Sequence, residues 1–252
     1  MKFSANLGFL WSELSLLDAI RAAKSAGFDA VECHWPFATP AAEVRSALDK
    51  TGLQMLGLNT VRGDVAAGEN GLSALPDRVD DAVSAIDEAI SYASAISCKA
   101  VHLMAGFASG ANAHDTFVRN LKYACAQAAP HGITILIEPL NRYDAPGYFL
   151  TTTTQAVDLI GAVQAPNLKL MFDCYHVQLM EGDLCHKLED LMPYIGHIQF
   201  ASVPDRGPPD TGEVNFDHIF KVLSAMGYGK PIGAEYKPNG PTDKTLGWLT
   251  KH

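Results

Sequence analysis

Short apolar runs alternate with amphipathic stretches from one end of the chain to the other. Eight runs predict strands: Lys2–Leu7, Ala30–Trp35, Gln54–Thr60, Ala100–Gly106, Ile133–Leu140, Leu168–His176, Ile195–Ser202 and Pro231–Tyr236. In Ile133-Thr134-Ile135-Leu136-Ile137 apolar side chains fall on both faces, as in a parallel sheet covered by helices. Between the runs, Val79, Val83, Ile86 and Ile90 recur at three- and four-residue spacing. So do Phe117, Leu121, Ala124 and Ala128, and Phe216, Ile219, Leu223 and Met226. Each set makes an apolar stripe that can cover a sheet, and the alternation of the two patterns implies repeated βα units.

The connections sharpen this. Ala26-Gly27-Phe28, Thr51-Gly52-Leu53, His131-Gly132-Ile133 and Met226-Gly227-Tyr228 each close a helix and lead into a strand. Glycine there suits the left-handed position after a helix end. Helix-to-strand links are short, whereas Val61–Pro76, Asn141–Thr151 and Val203–Asn215 are long strand-to-helix loops. In a (β/α)8 TIM barrel such loops share the C-terminal face, where active sites are built, and Val61–Pro76 is a candidate lid. A doubly wound open sheet would often carry GxGxxG in its first turn. Leu7-Gly8-Phe9-Leu10-Trp11-Ser12 has one glycine. No flexible linker divides the chain, so residues 1–252 are read as one α/β barrel domain, with a short last helix around Trp248.

Composition narrows the partners. The net charge of -9 argues against nucleic acid, which needs a basic face, but leaves open a small anionic substrate, which responds to the local field. Five cysteines without a CxxC pair read as reduced thiols. No apolar stretch approaches the roughly 18 residues of a membrane helix, and no signal-like block follows Met1. A soluble, cytoplasmic protein is the expectation.

The candidate chemistry lies where the later strands end: Ile137-Glu138-Pro139, Phe172-Asp173-Cys174-Tyr175-His176, His197-Ile198-Gln199-Phe200 and Ala234-Glu235-Tyr236. Charged side chains among apolar neighbours are paired or metal-bound when buried. In a barrel these four ends surround one point, where three carboxylates repel unless a cation sits between them. Oxygen donors favour Mg²⁺ or Mn²⁺. Each residue taken singly also has a plainer reading. A glutamate at a strand end is usually a loop ion pair or a helix cap, and His176 or His102 alone reads as a core histidine. Trp35 walls a pocket or fills the barrel top. Arg62 and Asp64 pair on a solvated loop or face the site. Arg206 ranks above Arg62 because it follows the seventh strand.

At these residues the chain resembles the xylose isomerase-like barrels, specifically the hydroxypyruvate isomerase family, with 2-oxo-tetronate isomerases and ketose 3-epimerases as relatives. The likeness runs through Arg62-Gly63-Asp64, Ala66-Ala67-Gly68-Glu69, His102-Leu103-Met104-Ala105-Gly106 and Glu138-Pro139-Leu140-Asn141. It continues through Asp173-Cys174-Tyr175-His176, Gly196-His197-Ile198-Gln199, Pro204-Asp205-Arg206, Gly212-Glu213-Val214-Asn215 and Glu235-Tyr236. The motifs are short, and their order and spacing over nearly the whole chain carry the resemblance.

The resemblance implies that Glu138 and Glu235 exchange protons with substrate and also touch a divalent metal. Asp173 and Gln199 complete the metal site; relatives often carry His at the Gln199 position. His176 and Arg206 contact substrate oxygens; His102 and Trp35 are added as candidate substrate contacts from their places at the ends of the fourth and second strands. The implied reaction of carbohydrate metabolism is hydroxypyruvate to tartronate semialdehyde through an enediolate, in a homodimer or homotetramer. Alternatives on the same site are a 2-oxo-tetronate or a ketose as substrate. More remote are a phosphodiesterase or endonuclease of the superfamily, and a non-catalytic sugar-acid sensor.

Overall fold

All eight predicted strand regions form in a computed structural model of the chain, which describes residues 1–251, and each is shorter than its apolar run. In chain order the elements are β1 (Phe3–Asn6), α1 (Leu16–Ala26), β2 (Ala30–Glu32), α2 (Ala41–Thr51), β3 (Gln54–Met55), β4 (Gly57–Asn59), α3 (Val79–Ala95), β5 (Ala100–His102) and α4 (Gly110–Ala128). There follow β6 (Thr134–Ile137), α5 (Thr153–Val163), β7 (Leu168–Asp173), α6 (Cys174–Met180), α7 (Leu184–Leu191), β8 (Ile195–Phe200), α8 (Phe216–Ala225) and β9 (Ile232–Ala234). Ser15 and Thr152 cap α1 and α5 through their side chains, and α1 and α2 end on left-handed Gly27 and Gly52.

All strand pairs are parallel, in the order β3-β2-β1-β9-β8-β7-β6-β5-β4. The two ends of that order, β3 and β4, are halves of one predicted strand broken at Leu56. Backbone bonds from Leu56 to Val31 (2.8 Å) and from Asn59 to His34 (2.8 Å) carry the second strand across the break, so the sheet closes as a TIM barrel of eight strand positions. Helix-facing residues such as Val31, Ile135, Phe172 and Phe200 join the main core, while Ala100, Leu136 and Met171 form a small separate cluster. Among the described residues no helix is long and apolar enough to cross a membrane.

Some expectations change in detail. The sixth run ends as a strand at Asp173, and His176 lies in the first turn of α6 rather than on the strand. The last helix, Thr242–Lys251, is of 3-10 type and buries Trp248 against Phe3 and Phe200, with ring centroids 5.1 and 5.3 Å apart. The Val61–Pro76 loop is tied down over much of its length. Ser73 and Ala74 donate to the Met104 and Ala105 carbonyls at 3.2 and 2.7 Å. Gly71, at φ 118°, leaves no room for a Cβ, which would lie 2.7 Å from the Met104 carbonyl. Its exposed residues are Asp64–Gly68 and, at its end, Pro76. Gly71→Ala is therefore expected to lower stability by about 1–3 kcal/mol, read as a shifted urea midpoint with unchanged slope. An unshifted midpoint would mean that the loop is not held there.

Candidate active site

Strand register sets the site. Asp173 on β7 pairs with Gln199 on β8, which pairs with Gly233 on β9, two residues before Glu235. Glu138 directly follows β6. All four candidate ligands are buried. Asp173 has two jobs. Its Oδ1 accepts from Tyr175 N at 2.9 Å and so caps α6, while its Oδ2 is left without a hydrogen-bond partner. Glu138 Oε1 and Gln199 Oε1 are likewise buried and unpartnered. Three adjacent strand ends thus present three unsatisfied oxygens, a pattern expected of a ligand or ion site rather than of a core.

Glu235, in contrast, is fully engaged. Its Oε1 accepts from Asn6 Nδ2 at 2.8 Å and faces His34 Nε2 at 3.0 Å, and its Oε2 accepts from Arg206 Nη2 at 2.5 Å. Arg206 also lies 3.5 Å from Asp173 and 3.6 Å from Asp144, with its guanidinium between the rings of Phe9 and Tyr175 at 4.7 and 4.9 Å. Its loop is fixed by Ser202, whose N–H donates to the Gly207 carbonyl and whose Oγ accepts from Gly207 N, and by Lys237 N donating to the Arg206 carbonyl at 2.7 Å.

The tautomer of His176 follows from its neighbour. The Asn141 backbone N–H can only donate, and it meets His176 Nδ1 at 3.0 Å. Nδ1 is therefore the acceptor, and in the neutral ring Nε2 carries the proton. That N–H points into the site, 3.6 Å from Asp173 Oδ2 and 3.8 Å from Glu138 Oε1. Burial, helped by the Arg206 charge, holds the His176 imidazole down at about 3, and burial holds His102 at about 4, so both are neutral near pH 7. His102 Nδ1 stands 3.5 Å from Glu138 Oε2.

The carboxyl groups divide. Burial raises Glu138 well above the usual range, and the charges of Glu235 and Asp173 add to it. Burial also lifts Asp173 to about 7, against the pull of Arg206. Glu235 is buried too, but Arg206 and His34 outweigh the burial and bring it down to about 2. The two raised acids bind protons more tightly in the folded chain than in the unfolded one. For Asp173, with an ordinary value of 3.8, that stabilisation is complete below pH 3.8 and lost as pH rises towards 7. Glu235 has the opposite sign, with stabilisation present above 4.5 and lost as pH falls towards 2. In chelator the melting temperature of wild type should therefore drop more between about pH 5 and 7 than that of Asp173→Asn. Parallel curves would contradict the raised Asp173.

These residues fit a divalent cation. The unpartnered oxygens of Glu138, Asp173 and Gln199 form a hard-donor set, and a cation would relieve the repulsion that raises Glu138. Among the described residues, Glu138, Asp173 and His176 have ligand atoms within 4.8 Å of one another. We favour Gln199 over His176 as a cation ligand, because His176 Nε2 is protonated in the neutral tautomer.

Of the other sequence candidates, Trp35 donates from Nε1 to the Thr60 carbonyl at 3.0 Å and supports Arg62, whose guanidinium lies 4.0 Å above its ring. Asp64 does not pair with Arg62. It caps the short turn that follows, accepting from Ala66 and Ala67. Sequence reasoning missed Asn6, Glu32, His34 and Asn141. The first two were legible by the rule applied to later strands: Asn6 and Glu32 are polar residues ending β1 and β2. His34 had a fainter signal in Gly8, where a Cβ would sit 2.1 Å from the His34 ring.

Comparison with known proteins agrees with this fold. The xylose isomerase-like TIM barrel family matches residues 20–252. A 2-oxo-tetronate isomerase of Cupriavidus necator is 44% identical, covering 98% of this chain and 97% of its own length. A hydroxypyruvate isomerase of Escherichia coli K12 is 39% identical, covering 99% and 98%. A crystal structure from Brucella melitensis, described as an AP endonuclease of family 2, is 38% identical with a TM-score of 0.96, covering 100% of this chain and 98% of that one. The chain belongs to the xylose isomerase-like TIM barrel family. Within it, the protein is an isomerase, akin over its full length to isomerases of hydroxypyruvate and 2-oxo-tetronate.

Proposed function

We propose that the protein isomerises a small 2-oxo acid with a hydroxyl group beside its ketone, first of all hydroxypyruvate to tartronate semialdehyde, with Glu138 and Glu235 as the acid–base pair. The observation that carries this reading is the split between two buried glutamates at one barrel mouth, Glu138 raised and Glu235 lowered. Paired groups whose environments push them apart are set up as one proton donor and one acceptor. Isomerisation needs both, because a proton leaves C3 and one arrives at C2 of the enediolate. His176 donates from Nε2 to a substrate oxygen, and Arg206 offers a planar guanidinium to an oxygen or the carboxylate. His102 stands 3.5 Å from Glu138, and the Trp35 ring packs on His34, which faces Glu235; both are proposed as further substrate contacts.

Glu138, Asp173, Gln199 and Glu235 would hold the divalent cation, Mg²⁺ or Mn²⁺. Its contribution, when bound, is Lewis-acid stabilisation of negative charge on the enediolate, worth several kcal/mol. Since Glu138 and Asp173 must lose protons to serve as ligands, apparent Mn²⁺ affinity is expected to rise between pH 5.5 and 8. A pH-independent affinity would remove them from the ligand set.

A 2-oxo-tetronate requires the same proton shifts and adds one hydroxymethyl group at C3. The 44% identity to an isomerase of that acid makes it the second reading. The net charge of -9 and a cation-competent cluster holding one histidine, among the described residues, speak against a multi-zinc nuclease.

The test is incubation with Mn²⁺ or Mg²⁺ and each acid in D2O, followed by NMR. Product from hydroxypyruvate with kcat/KM above that for 2-oxo-tetronate supports the first reading, and the reverse order supports the second. Neither exchange nor product with either acid overturns both. Glu138→Gln and Glu235→Gln then separate the roles, since the variant that still exchanges the substrate C3 hydrogen retains the base.

A further inference from the structure

A fourth buried acid has no part in the proposed chemistry. Glu32, at the end of β2, is 4% exposed and faces three side chains. Ser4 Oγ donates to its Oε1 at 2.8 Å, Gln199 Nε2 donates to its Oε2 at 2.7 Å, and His197 Nε2 stands 3.1 and 3.2 Å from the two oxygens. The barrel wall makes room for this arrangement. A Cβ on Gly233 would lie 2.3 Å from Glu32 Oε1 and 2.8 Å from Gln199 Cγ.

The consequence falls on Gln199. A side-chain amide has one accepting end and one donating end, and nothing in its shape says which way round it sits. Here the flipped orientation would set the amide oxygen 2.7 Å from a carboxyl oxygen, acceptor against acceptor. Glu32 therefore takes the nitrogen end and leaves Oε1 as the free end, buried and without a partner. We infer that Glu32 is the positioning residue of the cation site: it locks the Gln199 amide so that an oxygen, not an N–H, is offered beside Asp173. An N–H pointing that way would repel a cation and deprive it of a donor atom. This inference rests on the reading of Gln199 as a ligand. It adds a reason why a neutral amide is a competent ligand here, and it assigns Glu32 a role acting only through Gln199. Groups behind a ligand that fix its orientation typically contribute 10–100-fold to metal affinity.

The test measures Mn²⁺ binding directly, from the signal of the free ion in electron paramagnetic resonance, without turnover. Glu32→Leu should weaken Mn²⁺ about 10–100-fold, and Glu32→Gln, which keeps an acceptor for Gln199 Nε2, should stay within about threefold of wild type. In a Gln199→Leu background, Glu32→Leu should cost nothing further, because its effect runs through the amide. Equal loss in both backgrounds, or unchanged affinity in Glu32→Leu alone, overturns the positioning role while leaving the cation site standing. Wild type that binds no Mn²⁺ overturns the cation reading and this inference together. Should Glu32→Leu not fold, wild type labelled with ¹³C,¹⁵N-glutamine answers the question. A Mg²⁺-dependent shift of the Gln199 carbonyl carbon, with its NH₂ protons slow to exchange, supports the lock. Amide protons exchanging at the solvent rate overturn it.

Discussion

Glu138→Gln is expected to lower kcat/KM for the preferred 2-oxo acid by about 10³-fold or more, roughly 4 kcal/mol of transition-state stabilisation, while the barrel stays folded. Two effects combine. Glutamine cannot exchange a proton with substrate carbon, and it replaces a charged cation ligand by a neutral one. The same change should leave the metal-free protein as stable as wild type or more so. Glu138 is buried among Glu235 and Asp173, its Oε1 has no partner, and its charged form is disfavoured. An amide removes that cost. Opposed shifts in activity and melting temperature would mark a group kept for function at the expense of stability. Retention of activity within tenfold would remove Glu138 from the proton-transfer role.

Arg206→Met carries the second large effect, with a different signature. Arg206 is the positive charge among Glu235, Asp173 and Asp144, and it is 11% exposed. Removing one partner of a buried ionic group leaves the others uncompensated, at a cost of about 3–5 kcal/mol. The metal-free variant should melt well below wild type. Saturating Mn²⁺ should restore part of that loss, since it supplies positive charge to the same carboxylates. Turnover should not recover with it, because neither the substrate contact nor the planar surface between Phe9 and Tyr175 returns. Measuring melting temperature and kcat/KM with and without Mn²⁺ separates the two roles. A variant restored in both by the ion would leave Arg206 as charge compensation alone.

Much of this was readable in the residues. The eight apolar runs become strand positions of one barrel because a strand buried on both faces has no other composition open to it. Glu138, Asp173, Gln199 and Glu235 stood out as polar side chains ending such runs, and parallel register brings those ends to the same rim. A strand is predicted as far as His176 because the apolar pattern runs on through Cys174-Tyr175. The helix begins there since Asp173 caps it, and a cap is visible only once the backbone has turned. Arg62 and Asp64 looked like a local pair through closeness in sequence. In the fold Arg62 turns to the Trp35 ring, and Asp64 to the N–H groups of the turn it opens.

The sequence by itself determined the alternation of strand and helix, the closed barrel and the strand ends that carry polar side chains, because periodicity and burial are properties of neighbours along the chain. Tertiary structure decided the states of those side chains. That Glu235 is drawn below the ordinary carboxyl range depends on Arg206 and His34, and that Glu138 is pushed above it depends on burial beside Glu235 and Asp173, groups that arrive from other segments. That Gln199 offers an oxygen depends on Glu32, from the opposite end of the chain. Charge, tautomer and amide orientation are set by what lies within a few ångströms in space, and in a barrel those neighbours are scattered over the whole sequence.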